Sequence, residues 1–384
     1  MEVYLDNSAT TKCTDSVKEI MIQIMTEDYG NPSSLHLKGV EAEHYIKEAK
    51  ERIGRILKAG EKELIFTSGG TESNNMAIIG TATANQRMGK HLITTKIEHA
   101  SVIKPFQYLE EQGFEVTYLP VDSYGTIELQ ALEQAVREDT TLVSIMHVNN
   151  EIGTIQPVEE AARIIKRINN RTYVHCDSIQ GFGKLPVQPH KMGIDLLSVS
   201  AHKIHGPKGV GFLYINEKVK IKPLILGGAQ QRDMRSGTEN VPGIAGLGQA
   251  AMEAYTDLDQ KSRAMYQLRS YFIGQILQLE NVSINGYADE RNAPHIISVN
   301  FDGVRSEVLL HALEERGIYV SSGSACAANK RAKSATLAAI GRSGEQAEGT
   351  IRFSFSRETT QEQLDYCLEQ IQSLLPVLRK YKRH

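Results

Sequence analysis

Residues 198–211 read SVSAHKIHGPKGVG. An apolar run with the character of a strand ends here, presents Ser200, His202 and Lys203 together, and leaves through a Gly/Pro-rich turn. A lysine at a strand end, beside small and hydroxyl-bearing residues, can form a Schiff base with a carbonyl cofactor such as pyridoxal phosphate. Read alone, the same stretch is equally well a polar loop with a surface lysine. The choice rests on whether the rest of the chain supplies the other parts such a cofactor needs.

Working outward, residues 63–67 read as a strand that runs into TSGGTES, with Gly70 and Thr71 just before a helix near Glu72. Such a turn offers backbone N–H groups and a hydroxyl to a phosphate, although Gly and Thr also serve simply to turn and cap. It has neither the dinucleotide fingerprint nor the lysine spacing of an ATP-binding loop. Further strands are expected at 90–94, 115–119, 142–146, 173–176, 196–199 and 209–215, with helices at 101–112, 129–137 and 158–168. This alternation predicts a layered α/β domain whose ligands gather at the carboxyl ends of the strands.

Polar residues cluster at those ends. His99 precedes a helix, where its ring can stack on a flat cofactor or exchange protons, or simply cap the helix. Asn149 and Asn150 follow the strand 142–146 and offer amides to a ligand, as Asn-rich turns also do for structural reasons. Asp177 ends the next strand, and a carboxylate there is costly unless paired, for example with a pyridinium N–H. Gln180, three residues on, can donate to a phenolic oxygen, and Asp177 and Lys203 are 26 residues apart with one strand-like segment between them.

The flanks complete the outline. A strand at 3–5, a helix at 16–27 and an amphipathic helix at 40–57 precede the sheet. After it, the glycine-rich RSGTENVPG at 235–243 leads into a long helical stretch, 244–279, expected to contain a break. Strands at 295–300 and 318–320 bracket a helix at 306–316, and SSGSACAANKR then places Cys326 among small residues beside Lys330 and Arg331, an accessible setting that favours thiolate. Arg352, in the strand-like GTIRFS, is a candidate fork for a carboxylate.

Composition sets the bounds. A chain of 384 residues exceeds one compact core and predicts a domain of about 250 residues plus a smaller one. With 43 Lys+Arg against 46 Asp+Glu, nothing argues for nucleic acid as a ligand, and the basic end at 379–384 reads as a solvated terminus. No apolar run reaches the roughly 18 residues of a membrane span, and MEVYLDNSATT lacks signal-peptide character, so no membrane association is expected and the cytoplasm is the default location. The four cysteines, Cys13, Cys176, Cys326 and Cys367, are scattered without a paired spacing, which argues against a disulfide framework and a four-thiolate metal site.

The ordered set YLDNSATT, GNPSSLH, FTSGGTESNN, EHAS, HVNNEIG, SAHKIHGPKG, RSGTEN, SSGSAC and IRFSFSR covers nearly the whole chain and resembles cysteine desulfurases of the IscS/NifS type, within the fold-type I, class V aminotransferase-like pyridoxal-phosphate enzymes. The resemblance implies an α/β large domain at 15–257 with a mostly parallel seven-stranded sheet between helices, and a smaller C-terminal α+β domain at 258–384 joined by residues 1–14. It implies pyridoxal 5'-phosphate held by Lys203, stacked by His99, and contacted by Asp177 at the pyridinium and Gln180 at the phenolic oxygen. The phosphate contacts it implies are Gly70, Thr71, Ser200 and His202, with Thr238 reaching over from a second subunit of a homodimer. Asn150 and Arg352 match the residues that orient the substrate and bind its carboxylate, and Cys326 matches the nucleophile that becomes a persulfide.

The implied reaction takes sulfur from L-cysteine, leaves L-alanine, and passes the sulfur to an acceptor protein such as an iron–sulfur scaffold or a tRNA-thiolating enzyme. A selenocysteine lyase or a class V aminotransferase would share Lys203, Asp177 and His99; Cys326 in SSGSAC is the discriminator, because a transaminase has no need of a thiol there. A non-catalytic scaffold of the same fold is disfavoured by the presence of every chemical residue. The chain departs from the family in AANKRAKSA after Cys326, where a Ser/Thr-rich run ending in Pro is usual, in a short tail, and in Cys176 beside Asp177, which is expected to pack.

Overall fold

The computed structural model describes residues 1–322 and 334–380. After a short strand β1 (Val3–Tyr4), seven strands follow in the large unit: β2 (Leu64–Thr67), β3 (His91–Thr95), β4 (Glu115–Leu119), β5 (Thr140–Met146), β6 (Tyr173–Asp177), β7 (Leu196–Ser200) and β8 (Gly211–Ile215). They form one sheet in the order β2-β8-β7-β6-β5-β3-β4. Strand β8 runs antiparallel to both its neighbours and the other pairings are parallel. The carboxyl ends of β2, β3, β5, β6 and β7 therefore open on one edge.

Strands β2, β3, β5, β7 and β8 are buried along their whole length, as expected when helices cover both faces. Side-chain alternation splits the core in two. One face turns Val143, Ile145, Val174, Leu197 and Val199 toward the helices Leu37–Leu57, Val158–Ile168 and Val241–Tyr255. The other turns Ile65, Leu92, Leu142, Leu196 and Leu213 toward Val102, Phe106 and Leu109 of the helix Ala100–Glu111. In Val158–Ile168 the buried positions Val158, Ala161, Ala162 and Ile165 follow the helical period, and Glu159 and Glu160 at its start and Lys166 and Arg167 at its end suit the macrodipole.

The small unit contains β9 (Val282–Asn285), β10 (Ile296–Phe301), β11 (Ile318–Tyr319), β12 (Ser321–Ser322) and β13 (Thr350–Ser354). Its antiparallel sheet has the order β12-β13-β10-β9, while β11 pairs parallel with β1. Phe272, Phe301, Phe353 and Phe355 centre its core, which also takes in Val3 and Leu5 from the N-terminus. The fold is the α/β arrangement implied by the sequence.

Local differences have physical reasons. The expected long helix at 244–279 is two helices, Val241–Tyr255 and Leu258–Ile276, parted at Asp257 with φ +53°. Strand β2 starts at Leu64 because residues Glu61–Glu63 turn as a 3-10 helix, where buried Glu63 accepts hydrogen bonds from the Gly60 N–H and the Tyr214 hydroxyl. Strand β9 has no signal in the sequence: it lies at a sheet edge with three of its four residues half-buried, so it carries neither an apolar run nor a clean alternation.

Candidate active site

Strand β7 ends in a 3-10 turn, Ala201–Lys203, which lifts Lys203 out of the sheet edge. Its Nζ donates to the carbonyls of Ser8, at 2.6 Å, and Ala9, at 2.7 Å. Those carbonyls are supplied by an N-terminal segment sewn to the turn: Thr11 N–H donates to His202 O (2.9 Å) and His205 N–H to Thr11 Oγ1 (2.7 Å). Asn7 Nδ2 meanwhile donates to Ser354 O (2.9 Å) at the end of β13, so one segment ties the small sheet to the lysine.

A second buried amine supports the turn. Lys184 Nζ donates to the backbone carbonyl of Lys203 at 2.8 Å. Burial, then the positive charges of Lys203 and Arg357, bring its pKa down to about 7.

Asp177 closes β6, directly across from Met146 on β5 and Ser198 on β7. It is 4% exposed, and no Lys or Arg forms an ion pair with it among the described residues. Its Oδ1 accepts from Ile179 N–H (3.0 Å) and its Oδ2 from Asn74 Nδ2 (2.8 Å). Burial pushes its pKa up, opposed by His99, these two donors and Lys203. His99 caps the helix Ala100–Glu111, with Nδ1 accepting from Ser101 N–H (3.1 Å) and 2.8 Å from Ser101 Oγ. Burial lowers the His99 pKa, Asp177 raises it and Lys203 lowers it, so the three groups share one electrostatic environment.

The turn after β2 approaches β7 closely. Gly69 has φ +147°, which a side chain would strain, and a Cβ on Gly70 would lie 2.1 Å from Ile179 Cδ1 and 3.6 Å from Ser200 Cβ. Gly70 and buried Ser200 thus meet, with exposed Thr71 at the start of the helix Gly70–Asn75, whose first N–H groups have no partners within the helix. His202 Nδ1 lies 3.2 Å from Thr10 Oγ1, and burial followed by Lys203 and Lys208 brings its pKa down to about 4.

Gln180 is oriented from both ends, its Nε2 donating to Ser8 O (2.9 Å) and its Oε1 lying 3.2 Å from His295 Nε2. Arg352, on β13, donates from Nη1 to Asn150 O (2.8 Å) and pairs through Nη2 with Asp6 (2.8 Å), while its buried Nε has no partner among the described residues. Thr238 is exposed in the stretch after β8, which Arg235 fastens to Glu72 at 2.9 Å. Cys326 lies outside the described residues, but both ends of its segment are anchored here. Ser321 on β12 sits opposite Arg352, and Ser334 donates to Glu151 and Asn149 Nδ2 to Thr336 Oγ1.

The sequence reading missed Asn74, Ser101, Lys184, His295 and the Ser8 and Ala9 carbonyls. A signal existed for Asn74, since SNN is poor helix-forming material inside a helix and points to side chains bonded elsewhere. The arrangement fits pyridoxal phosphate. A buried carboxylate with N–H donors and no ion pair among the described residues suits a ring N–H, a glycine turn against Ser200 suits a phosphate, and an amine on a tight turn suits the aldehyde.

The model of the family described as Aminotransferase class-V matches residues 3–367. Cysteine desulfurase IscS of Dictyoglomus turgidum is 46% identical over 379 residues, covering 98% of this chain and 95% of the relative. IscS of Methanosarcina thermophila is also 46% identical, over 98% of this chain and 93% of its own length. Among solved structures, a NifS-like protein superposes with a TM-score of 0.93 at 42% identity, covering 98% of this chain and all of that one. A structure titled SspA in complex with cysteine gives 0.82 at 35% identity, over 94% of this chain and 100% of that chain. The chain belongs to the class V aminotransferase family and, within it, to the IscS/NifS group of cysteine desulfurases.

Proposed function

We propose that this protein is a pyridoxal-phosphate-dependent cysteine desulfurase that converts L-cysteine to L-alanine and carries the sulfur away as a persulfide on Cys326. The observation that carries the reading is the meeting of Lys203, the buried carboxylate of Asp177 and His99 in one electrostatic environment at one sheet edge, with Arg352 on the adjoining small sheet.

Lys203 would hold the cofactor, Asp177 its ring nitrogen and Gln180 its phenolic oxygen, with Gly70, Thr71, Ser200 and His202 at the phosphate. His202, with Nδ1 engaged by Thr10 Oγ1 and its ring kept neutral by burial, would turn Nε2 to a phosphate oxygen, donating there in the tautomer in which Thr10 donates to Nδ1. When bound, pyridoxal phosphate supplies a protonated ring that takes up the electron pair left at the substrate Cα. Asn150 orients the incoming cysteine, and Arg352, already held by Asp6 and the Asn150 carbonyl, keeps Nε as a donor for its carboxylate. The freed Lys203 amine and His99 handle the Cα proton. Cys326 thiolate then attacks the substrate sulfur: an S–S bond forms, the Cβ–S bond breaks, and its electron pair stays with carbon and is protonated. The substrate carbon is reduced by two electrons and the two sulfurs are each oxidised by one, so cysteine and one thiol yield alanine and one persulfide.

The working unit in this reading is a homodimer, with Thr238 reaching the phosphate of the second copy. Supporting it, Tyr29 at 71%, Leu35 at 100%, Leu37 at 79% and Leu226 at 78% exposure are large apolar residues left open in the single chain. The sulfur passes to an acceptor protein, an iron–sulfur scaffold or a tRNA-thiolating enzyme, in the cytoplasm. No helix among the described residues is long and apolar enough to cross a membrane.

Incubation of the purified protein with cysteine tests the reading. Equal alanine and sulfide with a reductant, and a persulfide on Cys326 without one, are expected. Cys326→Ser should keep cofactor and cysteine binding and lose sulfide release. A keto acid in place of alanine, with Cys326 unmodified, would make the protein a transaminase.

A further inference from the structure

Asn74 and Ser101 have no part in the reaction as written, yet they join its two central side chains. Asn74 is fully buried in the helix Gly70–Asn75, and its Nδ2 donates to both Asp177 Oδ2 (2.8 Å) and Ser101 Oγ (2.9 Å). The amide can sit only this way round, because the reverse would set its oxygen against the carboxylate oxygen. Both amide hydrogens are therefore spent, and Asn74 Oδ1 has no partner among the described residues.

The direction of the remaining bonds follows. Ser101 Oγ receives a hydrogen from Asn74, so its own proton is free to go to the acceptor at 2.8 Å, His99 Nδ1. That nitrogen already receives the Ser101 N–H at 3.1 Å. Two donors converging on one lone pair leave no room for a proton on Nδ1, which puts the ring proton on Nε2.

We infer that Asn74 and Ser101 are positioning residues that connect the Asp177 carboxylate to His99 and hold its ring as the neutral Nε2–H tautomer, so that His99 offers a hydrogen-bond donor at Nε2 and the Lys203 amine takes the Cα proton. The inference rests on the desulfurase reading for its consequence but not for its geometry. The charged groups that act on the ring are Asp177, which favours its cation, and Lys203, which opposes it, and burial adds to the latter.

The test uses the full-length holoenzyme with 15N-labelled histidine, His99→Gln identifying the His99 signals among the 12 histidines. Wild type should show unprotonated Nδ1 and protonated Nε2 across about pH 6 to 8. Ser101→Ala keeps the backbone N–H on Nδ1 and loses the hydroxyl, so it should weaken the tautomer preference and raise the His99 pKa toward its ordinary value, since donors to Nδ1 favour the neutral ring. Turnover should fall about fivefold to tenfold, the scale of one hydrogen bond, and Ser101→Thr should restore tautomer and rate together. Asn74→Ala should loosen the tautomer preference with Ser101 intact. Protonated Nδ1 in wild type, or a tautomer ratio and His99 pKa both unchanged in Ser101→Ala, would overturn the inference. The same spectra on cofactor-free protein separate this failure from failure of the desulfurase reading, which the cysteine incubation decides.

Discussion

Lys184 shows how one side chain can act on the chemistry through another. A buried ammonium needs a strong acceptor, and the acceptor here is the carbonyl of Lys203 itself. Replacing it by methionine leaves a buried carbonyl short of a donor, about 1–3 kcal/mol, but also removes an ammonium that burial disfavours, so stability should change little. The charge effect is the informative one. Because burial brings Lys184 to about 7, its positive charge acts on Lys203 mainly on the acid side of neutrality, where it resists protonation of the cofactor linkage. Lys184→Met should raise the pH midpoint of the linkage absorbance by about half to one unit, the size expected for a charge pair in a partly polar interior. Lys184→Arg should leave it near wild type. A spectrophotometric titration reads this directly, and an unmoved midpoint in Lys184→Met would mean that the residue only braces the turn.

At the level of single elements, the turn between β2 and the helix Gly70–Asn75 is fixed by the absence of a side chain. A Cβ at position 70 would press on Ile179 Cδ1 at 2.1 Å, and Ile179 N–H is one of the two donors to Asp177. Gly70→Ala should therefore cost about 1–3 kcal/mol, as overpacking does, and weaken pyridoxal-phosphate binding by disturbing phosphate turn and ring partner together. Ile179→Val in the same chain removes the offending Cδ1 and should recover much of both, measured by denaturant midpoints and cofactor titration. No recovery would place the cost in the backbone rather than in the contact. This turn was legible in the sequence because strand, glycines and helix start occur in succession. His99, Asp177 and Lys203 were legible for the same reason, each following an apolar run. Lys184 and Ser101 were not, because their value lies in partners 19 and two residues away that periodicity does not reveal. The sequence predicts a break in the helical stretch 244–279 but not its position, since only the left-handed φ at Asp257 marks it.

Taken as a whole, the molecule has a large unit with core on both faces of its sheet and a small unit with its own core, which we propose divide at Asp257, with Val3 and Leu5 in the smaller one and the segment after them carrying Ser8 and Ala9 back to Lys203. The pH dependence of its stability should be set by buried histidines. His91, His99, His147, His175, His202, His205 and His295 all have folded pKa values lowered by burial, His147 and His202 to about 4 and His175 to about 3. Each takes up a proton on unfolding below about pH 6.5, so its stabilising contribution is complete above that value and is lost as pH falls toward the folded pKa. Glu98, pushed up to about 8, together with Glu151 and Asp177, also raised, works in the opposite sense, being protonated first in the folded state. The histidines outnumber the raised carboxyls, so unfolding is expected to take up protons in this range, and each net proton is worth about 1.4 kcal/mol per pH unit. The urea midpoint of the holoenzyme should thus fall steadily between about pH 6.5 and 5, and a midpoint that stays level or rises would show that the carboxyls dominate. His175→Gln isolates one contribution, because its ring lies between Ser144 Oγ at 2.7 Å and Ser198 Oγ at 3.0 Å inside the sheet. A glutamine there cannot take the proton in either state, so the acid slope should flatten by up to one proton even if the variant is less stable at neutral pH.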